Sequence, residues 1–97
     1  MRLFSRRHDG EIEIADFDLL GADSVELARL WVSAERVNAF VAWKEEWPPE
    51  LLGSLLVETI YTAAGGVAAH AGISEAEARD RIWRGFDEER ERLANGH

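Results

Sequence analysis

The spacing of hydrophobic positions changes twice along this 97-residue chain. From Glu11 to Ile14 acids and isoleucines alternate strictly, which is the period of a short half-buried strand, a possible third one over residues 11–15. The alternation breaks at Ala15, and FDLLGADS, with Gly21 and Asp23, reads as a loop. The next stretch, VELARLWVSAERVNAFVAW, fits two periods. As a strand, Val25, Leu27 and Trp31 share one face, with Leu30 and Val32 on the other. As a helix, Ser24 would cap it and Leu27, Leu30, Trp31 and Val37 would form a stripe. Enrichment in valine, phenylalanine and tryptophan favours strands. Two are expected, over about 26–33 and 37–43, joined near Ala34–Arg36 by a turn without the usual glycine or asparagine.

After Trp47 the period becomes helical. In WKEEWPPE, residues 43–50, the residue before a proline is pushed toward extended geometry, and proline suits a first helical turn because its missing amide would be unpaired there anyway. Trp47 and Pro48 should end the extended path, and Pro49 and Glu50 should start a helix, with Glu50 favoured by the helix dipole. Leu52, Leu55, Leu56, Thr59, Ile60, Ala63 and Val67 then recur at helical spacing, and Gly72 is placed as a left-handed cap. Gly65-Gly66 costs the helix roughly 1 kcal/mol per glycine against alanine. The small residues around it allow another backbone to come close, or mark a bend. Ser74, with Glu77 three residues on, has the form of a capping box, and Ile73 can staple onto Ala78. A second helix is expected to run to about Leu93, with Ala78, Ile82, Trp83, Phe86 and Leu93 on its apolar side. Acid–arginine pairs four apart, Glu75–Arg79, Glu77–Arg81, Asp80–Arg84 and Glu88–Arg92, should support it.

These elements predict an α+β fold: a small β-hairpin, with room for a third strand, packed on two α-helices. The length suits a single domain over residues 1–97, with residues 1–10 as a flexible segment. Four tryptophans can carry much of a small core. A sheet of two or three strands leaves exposed edges and is marginal alone, which makes a homodimer the expected assembly.

At this point the order of features resembles a known family. VELARLWVSAERVNAFVAW, then W-PPELLGSLLVETIYTAAGGVAAHAG, then EARDRIWRGFDEERE is similar to a bacterial family of small proteins called domain of unknown function 5076. That family has an extended pair around an RxW core, here Arg29 to Trp31. An apolar helix follows a W-x-P corner, and a charged helix with an RIxxGFDxE pattern, here Arg81 to Glu88, closes it. The resemblance covers roughly residues 24–92. It implies a fold and a bacterial source, and no activity. One departure concerns the corner: in the family an acidic residue precedes the proline, whereas here Trp47 abuts Pro48, which bears on how the helix is capped.

Charge and candidate chemistry narrow the function classes. The net charge is −8, with the acidic excess concentrated over residues 11–26. A chain of this sign repels phosphate backbones and anionic lipid, so neither nucleic acid nor a membrane surface is an expected partner. Acidic mimicry of nucleic acid is the least favoured class. With no cysteine there are no disulfides or thiolate sites, which is compatible with a cytoplasmic location. The apolar run over residues 51–71 is near membrane-span length, yet it carries Glu58 and His70 and lacks a basic flank, so it reads as a buried soluble helix.

The candidate ligand site is the corner, where Trp43 and Trp47 stand four apart around Glu45 and Glu46, together with Glu58 on the apolar helix. The competing view makes the tryptophans core anchors and Glu58 a solvated residue. His8, His70 and His97 fall in no metal spacing, AAGGVAAHAG lacks the lysine of a phosphate loop, and no catalytic set or cofactor is indicated. The residues lean away from an enzyme and toward an uncharacterised protein-interaction or dimerisation module, with a protein partner of unspecified identity. A small-ligand binder, or minor enzyme, at the tryptophan corner is the alternative.

Overall fold

Two local backbone constraints set the architecture: a reversal at Ala34–Glu35, and a proline pair that starts a helix. In the computed structural model, which describes residues 8–14 and 19–96, the elements run β1 (Ala28–Ser33), β2 (Arg36–Val41), α1 (Pro49–Ala71) and α2 (Glu75–Ala94). The fold is α+β, with one antiparallel hairpin and two helices. The chain divides into two units, Met1–Trp43 and Lys44–His97.

In the first unit, β1 and β2 pair with Ala28 opposite Val41, Leu30 opposite Ala39, Trp31 opposite Asn38 and Val32 opposite Val37. The helical alternative for this stretch is thereby excluded. A further bond from the Ala42 amide to the Leu27 carbonyl, 2.8 Å long, extends the ladder at its open end. Reversal takes two residues, and Ala34 carries it with φ of 50°. Two-residue turns of this kind ordinarily place glycine there, because a Cβ crowds the backbone at positive φ. The turn is therefore built without the residue that would have announced it.

Directly opposed residues share a face of an antiparallel pair. One face of the hairpin thus holds Ala28, Leu30, Val32, Val37, Ala39 and Val41, all of them exposed. The other holds Arg29, Trp31, Ser33, Arg36, Asn38 and Phe40. On that second face the His8 ring meets Trp31 edge-on at 5.0 Å, and Trp31 is half-buried. Glu11 to Ile14 form no strand, and Ala15 lies outside the described residues. Four alternating residues supply a side-chain pattern but make no ladder here. Ile12 and Ile14 are exposed, and the Glu11 carboxylate instead accepts from Arg29 at 2.8 Å. The loop at Gly21–Ser24 is observed: the Gly21 amide donates to Ser24 Oγ at 2.9 Å and the Ser24 amide to the Gly21 carbonyl at 3.0 Å.

In the second unit, α1 begins after Pro48 in extended geometry, with no side chain capping it. This fits the tryptophan that stands before the proline. The helix ends at Gly72 with φ of 71°, where the Gly72 amide returns to the Ala68 carbonyl. Ser74 caps α2 by accepting from the Glu77 amide at 3.0 Å. Only this half of the capping box forms, since the Glu77 carboxylate turns outward toward Arg81 at 3.9 Å. A three-residue link, Gly72–Ser74, separates the two helices.

Their contact is made by alanines. Ala64, Ala68 and Ala78 form the buried cluster, with Ile73 and Ile82 packed against it. Close approach thus comes through Ala64 and Ala68, while α1 runs uninterrupted past Gly65-Gly66, and nothing lies within 4 Å of a Cβ at Gly66. The expectation of a buried α1 is corrected by the same contact. Among its residues only Ala64 and Ala68 are buried, because one partner helix covers one side of a helix that is apolar on several. By length and composition α1 also meets the measure of a membrane-crossing helix.

Candidate functional site

The corner over residues 43–50 is a turn followed by a helix start, with the Trp47 amide donating to the Lys44 carbonyl at 3.0 Å and the Leu51 amide to that of Pro48 at 3.0 Å. Trp47 is half-buried and Lys44 places its Nζ 5.3 Å from the Trp47 ring centroid, a cation–π contact that occupies the ring. Trp43, also half-buried, ends the first unit, and Glu45, Glu46 and Glu50 are exposed.

Glu58 is exposed on α1, and the polar residues beside it are drawn elsewhere. Thr59 Oγ1 donates to its own helix at the Leu55 carbonyl, 2.8 Å away. The Tyr61 ring receives the Arg79 guanidinium from α2 at 4.8 Å. This contact replaces the expected Glu75–Arg79 pair. Likewise Arg92 bonds Glu89, one residue nearer than a partner at Glu88, with its Nε 3.0 Å from Glu89 Oε1. That bond, then the attraction between the charges, holds the Glu89 carboxyl below its ordinary value and raises Arg92.

The hairpin carries a polar cluster that the sequence pattern does not single out. Arg29 donates to Glu26 at 2.7 Å and to Glu11 at 2.8 Å. The hydrogen bond with Glu26 is the main reason the guanidinium is raised further above its ordinary value. Glu26 and Arg29, with Leu27, Ala28, Phe40, Val41 and Ala42, line an open cleft of about 220 Å³. Its two charged side chains already bind each other, so it offers a ligand little beyond apolar contact. Among the described residues no group of three or more histidines and acids is arranged to hold a metal ion.

What the molecule does present is apolar surface. On α1, Leu52, Leu56, Ile60, Ala63 and Val67 follow one another at spacings of three and four, beside the Ala64–Ala68 line that meets α2. Leu56 is 45% exposed and Val67 is nearly as open. On the hairpin, Leu30 is 73% and Val32 77% exposed. The α1 stripe was legible in the periodicity, although it was expected to be buried. The hairpin face was not singled out, because Ala28-Leu30-Val32 and Val37-Ala39-Val41 join only once the register is known.

A solved structure of a protein provisionally named a pyruvate dehydrogenase, from the photosynthetic bacterium Rhodopseudomonas palustrus CGA009, is similar to this chain. It has 28% sequence identity and a TM-score of 0.63, and the alignment covers 87% of each chain. No functionally curated protein matches. The family model described as Domain of unknown function (DUF5076) matches residues 19–93, which include both strands and all but the last residue of α2. The chain therefore belongs to the DUF5076 family.

Proposed function

We propose that this protein works by association, as a homodimerising interaction module whose contact surface is the α1 stripe. The observation that carries the reading is that α1, 23 residues long and largely apolar, buries only Ala64 and Ala68 against α2. Leaving Leu56 and Val67 in water forgoes roughly 25 cal/mol for each Å² that a partner would cover. A second copy presents the same uncharged stripe, and an isologous dimer needs a patch that fits itself. A bilayer is the less fitting occupant, because Glu58 would lie well inside it at a cost of roughly 2.5–3.5 kcal/mol.

The activity in the name of the structural relative is not carried over to this chain. The corner at Trp43 and Trp47 has no comparable observation in its favour.

Leu56→Glu places a carboxylate on the stripe. The parent chain should sediment at twice its 10.9 kDa mass, and the variant should fall to the monomer while circular dichroism keeps its helix content. A parent that is monomeric, with or without binding to vesicles, or a variant that stays dimeric, overturns the reading.

A further inference from the structure

We propose that residues His8–Glu11 form a strap that closes over the polar face of the hairpin and opens without unpairing its strands, with the Glu11–Arg29 ion pair as its latch. The device lies within the first unit and does not depend on how the chain associates. Two bonds shape the strap: the Glu11 amide donates to the His8 carbonyl at 2.9 Å, and the Gly10 amide to His8 Nδ1 at 3.0 Å. They close a turn from His8 to Glu11, and the ends of such a turn lie within about 7 Å of each other. Arg29 and Trp31, two apart on β1, share the polar face and stand about as far apart, at roughly 3.4 Å per residue. The match lets the turn engage both. His8 meets the Trp31 ring at 5.0 Å, and Glu11 takes the Arg29 guanidinium at 2.8 Å. Between them Gly10 passes over the indole, where a Cβ would stand 3.9 Å from the ring.

Burial shows what the strap covers. Trp31 is the one half-buried residue of β1 and β2, all the others being exposed. The Glu11 side chain is 18% exposed against 43% for Arg29. The two bonds that shape the strap turn back on the strap itself, whereas side chains join it to β1, and the ladder from Ala28–Val41 to Ser33–Arg36 is complete without it. Release therefore uncovers Trp31 and leaves both the turn and the strand pairing in place. Glu26 holds Arg29 at 2.7 Å, so the guanidinium stays in position for the strap to close again. An ion pair open to water weakens as salt screens it, and rising ionic strength favours the open form.

NMR of the full chain can follow the Trp31 indole N–H in the parent, Glu11→Gln, Arg29→Gln and the double variant. In Glu11→Gln the indole resonance should move toward that of a solvent-exposed tryptophan, while cross-strand proton contacts between Leu30 and Ala39 persist. The double variant should move it no further than Glu11→Gln alone, as expected for two groups that act as one pair. Added salt should shift the parent in the same direction and leave Glu11→Gln where it is. An indole that stays put in Glu11→Gln, shifts that simply add in the double variant, or a salt response that survives Glu11→Gln overturns the latch. Loss of the Leu30–Ala39 contacts in Glu11→Gln overturns independent opening, because strap and strands would then be one cooperative unit.

Discussion

In the helix pair, Ala64, Ala68 and Ala78 are buried and each helix end is set by a residue beside it; in the hairpin no described residue is buried and the reversal falls on an alanine at positive φ. The difference lies in where the determining chemistry sits. Pro49, Gly72 and Ser74 act on backbone groups within a few positions of themselves, so helices drawn from such signals have little freedom to end elsewhere. A hairpin face acts across the strands and needs a layer to cover it. Its residues therefore fix the pairing but not the final packing.

The largest predicted effect strikes the helix contact. Ala78 is 1% exposed between the helices. Ala78→Leu should force them apart and cost about 1–3 kcal/mol, read as a lowered midpoint in urea unfolding followed by circular dichroism. Ser74→Ala removes the acceptor of the Glu77 amide and should cost about 1 kcal/mol, with loss of protection in amide exchange confined to the first turn of α2. If both substitutions were silent, the helix pair would not be organised by its alanines and its cap.

The hairpin should respond in the opposite direction. Ala34→Gly removes a Cβ from a residue at φ of 50° and should stabilise the turn by about 0.5–1 kcal/mol, seen as slower amide exchange across β1 and β2. A loss of protection would mean that the reversal is not strained as described.

The smallest effect concerns Glu89. Its carboxyl is held below the ordinary value by the hydrogen bond from Arg92, so the pair's contribution is full above the unfolded carboxyl's value and fades as pH falls through the lower folded one. On so exposed a pair the change in stability is slight, and the titration itself is the better readout. By NMR, Glu89 should titrate below the ordinary carboxyl value in the parent and move upward in Arg92→Ala.

These contrasts account for what could be read in the residues. Pro49, Gly72 and Ser74 made the helix boundaries legible almost to the residue, because caps are local. The strands were legible in type, while β2 ends at Val41 rather than near Trp43 because the chain leaves the ladder for the corner. The optional third strand does not form over Glu11–Ile14, since alternation describes side chains and a ladder also needs a backbone partner. The corner reads correctly as a turn into a helix, and Lys44 over Trp47 could not have been inferred from spacing alone. Burial of α1 was overestimated for one physical reason: apolar content measures the demand for cover, and within its own unit α1 has one helix, α2, to supply it.

That imbalance is the central claim, and its most direct test is the mass of the unmodified chain in solution. Light scattering across a dilution series should give twice 10.9 kDa at high concentration and fall toward the chain mass only on dilution. A mass of 10.9 kDa at every concentration would contradict the account, because α1 would then be stable with its stripe in water.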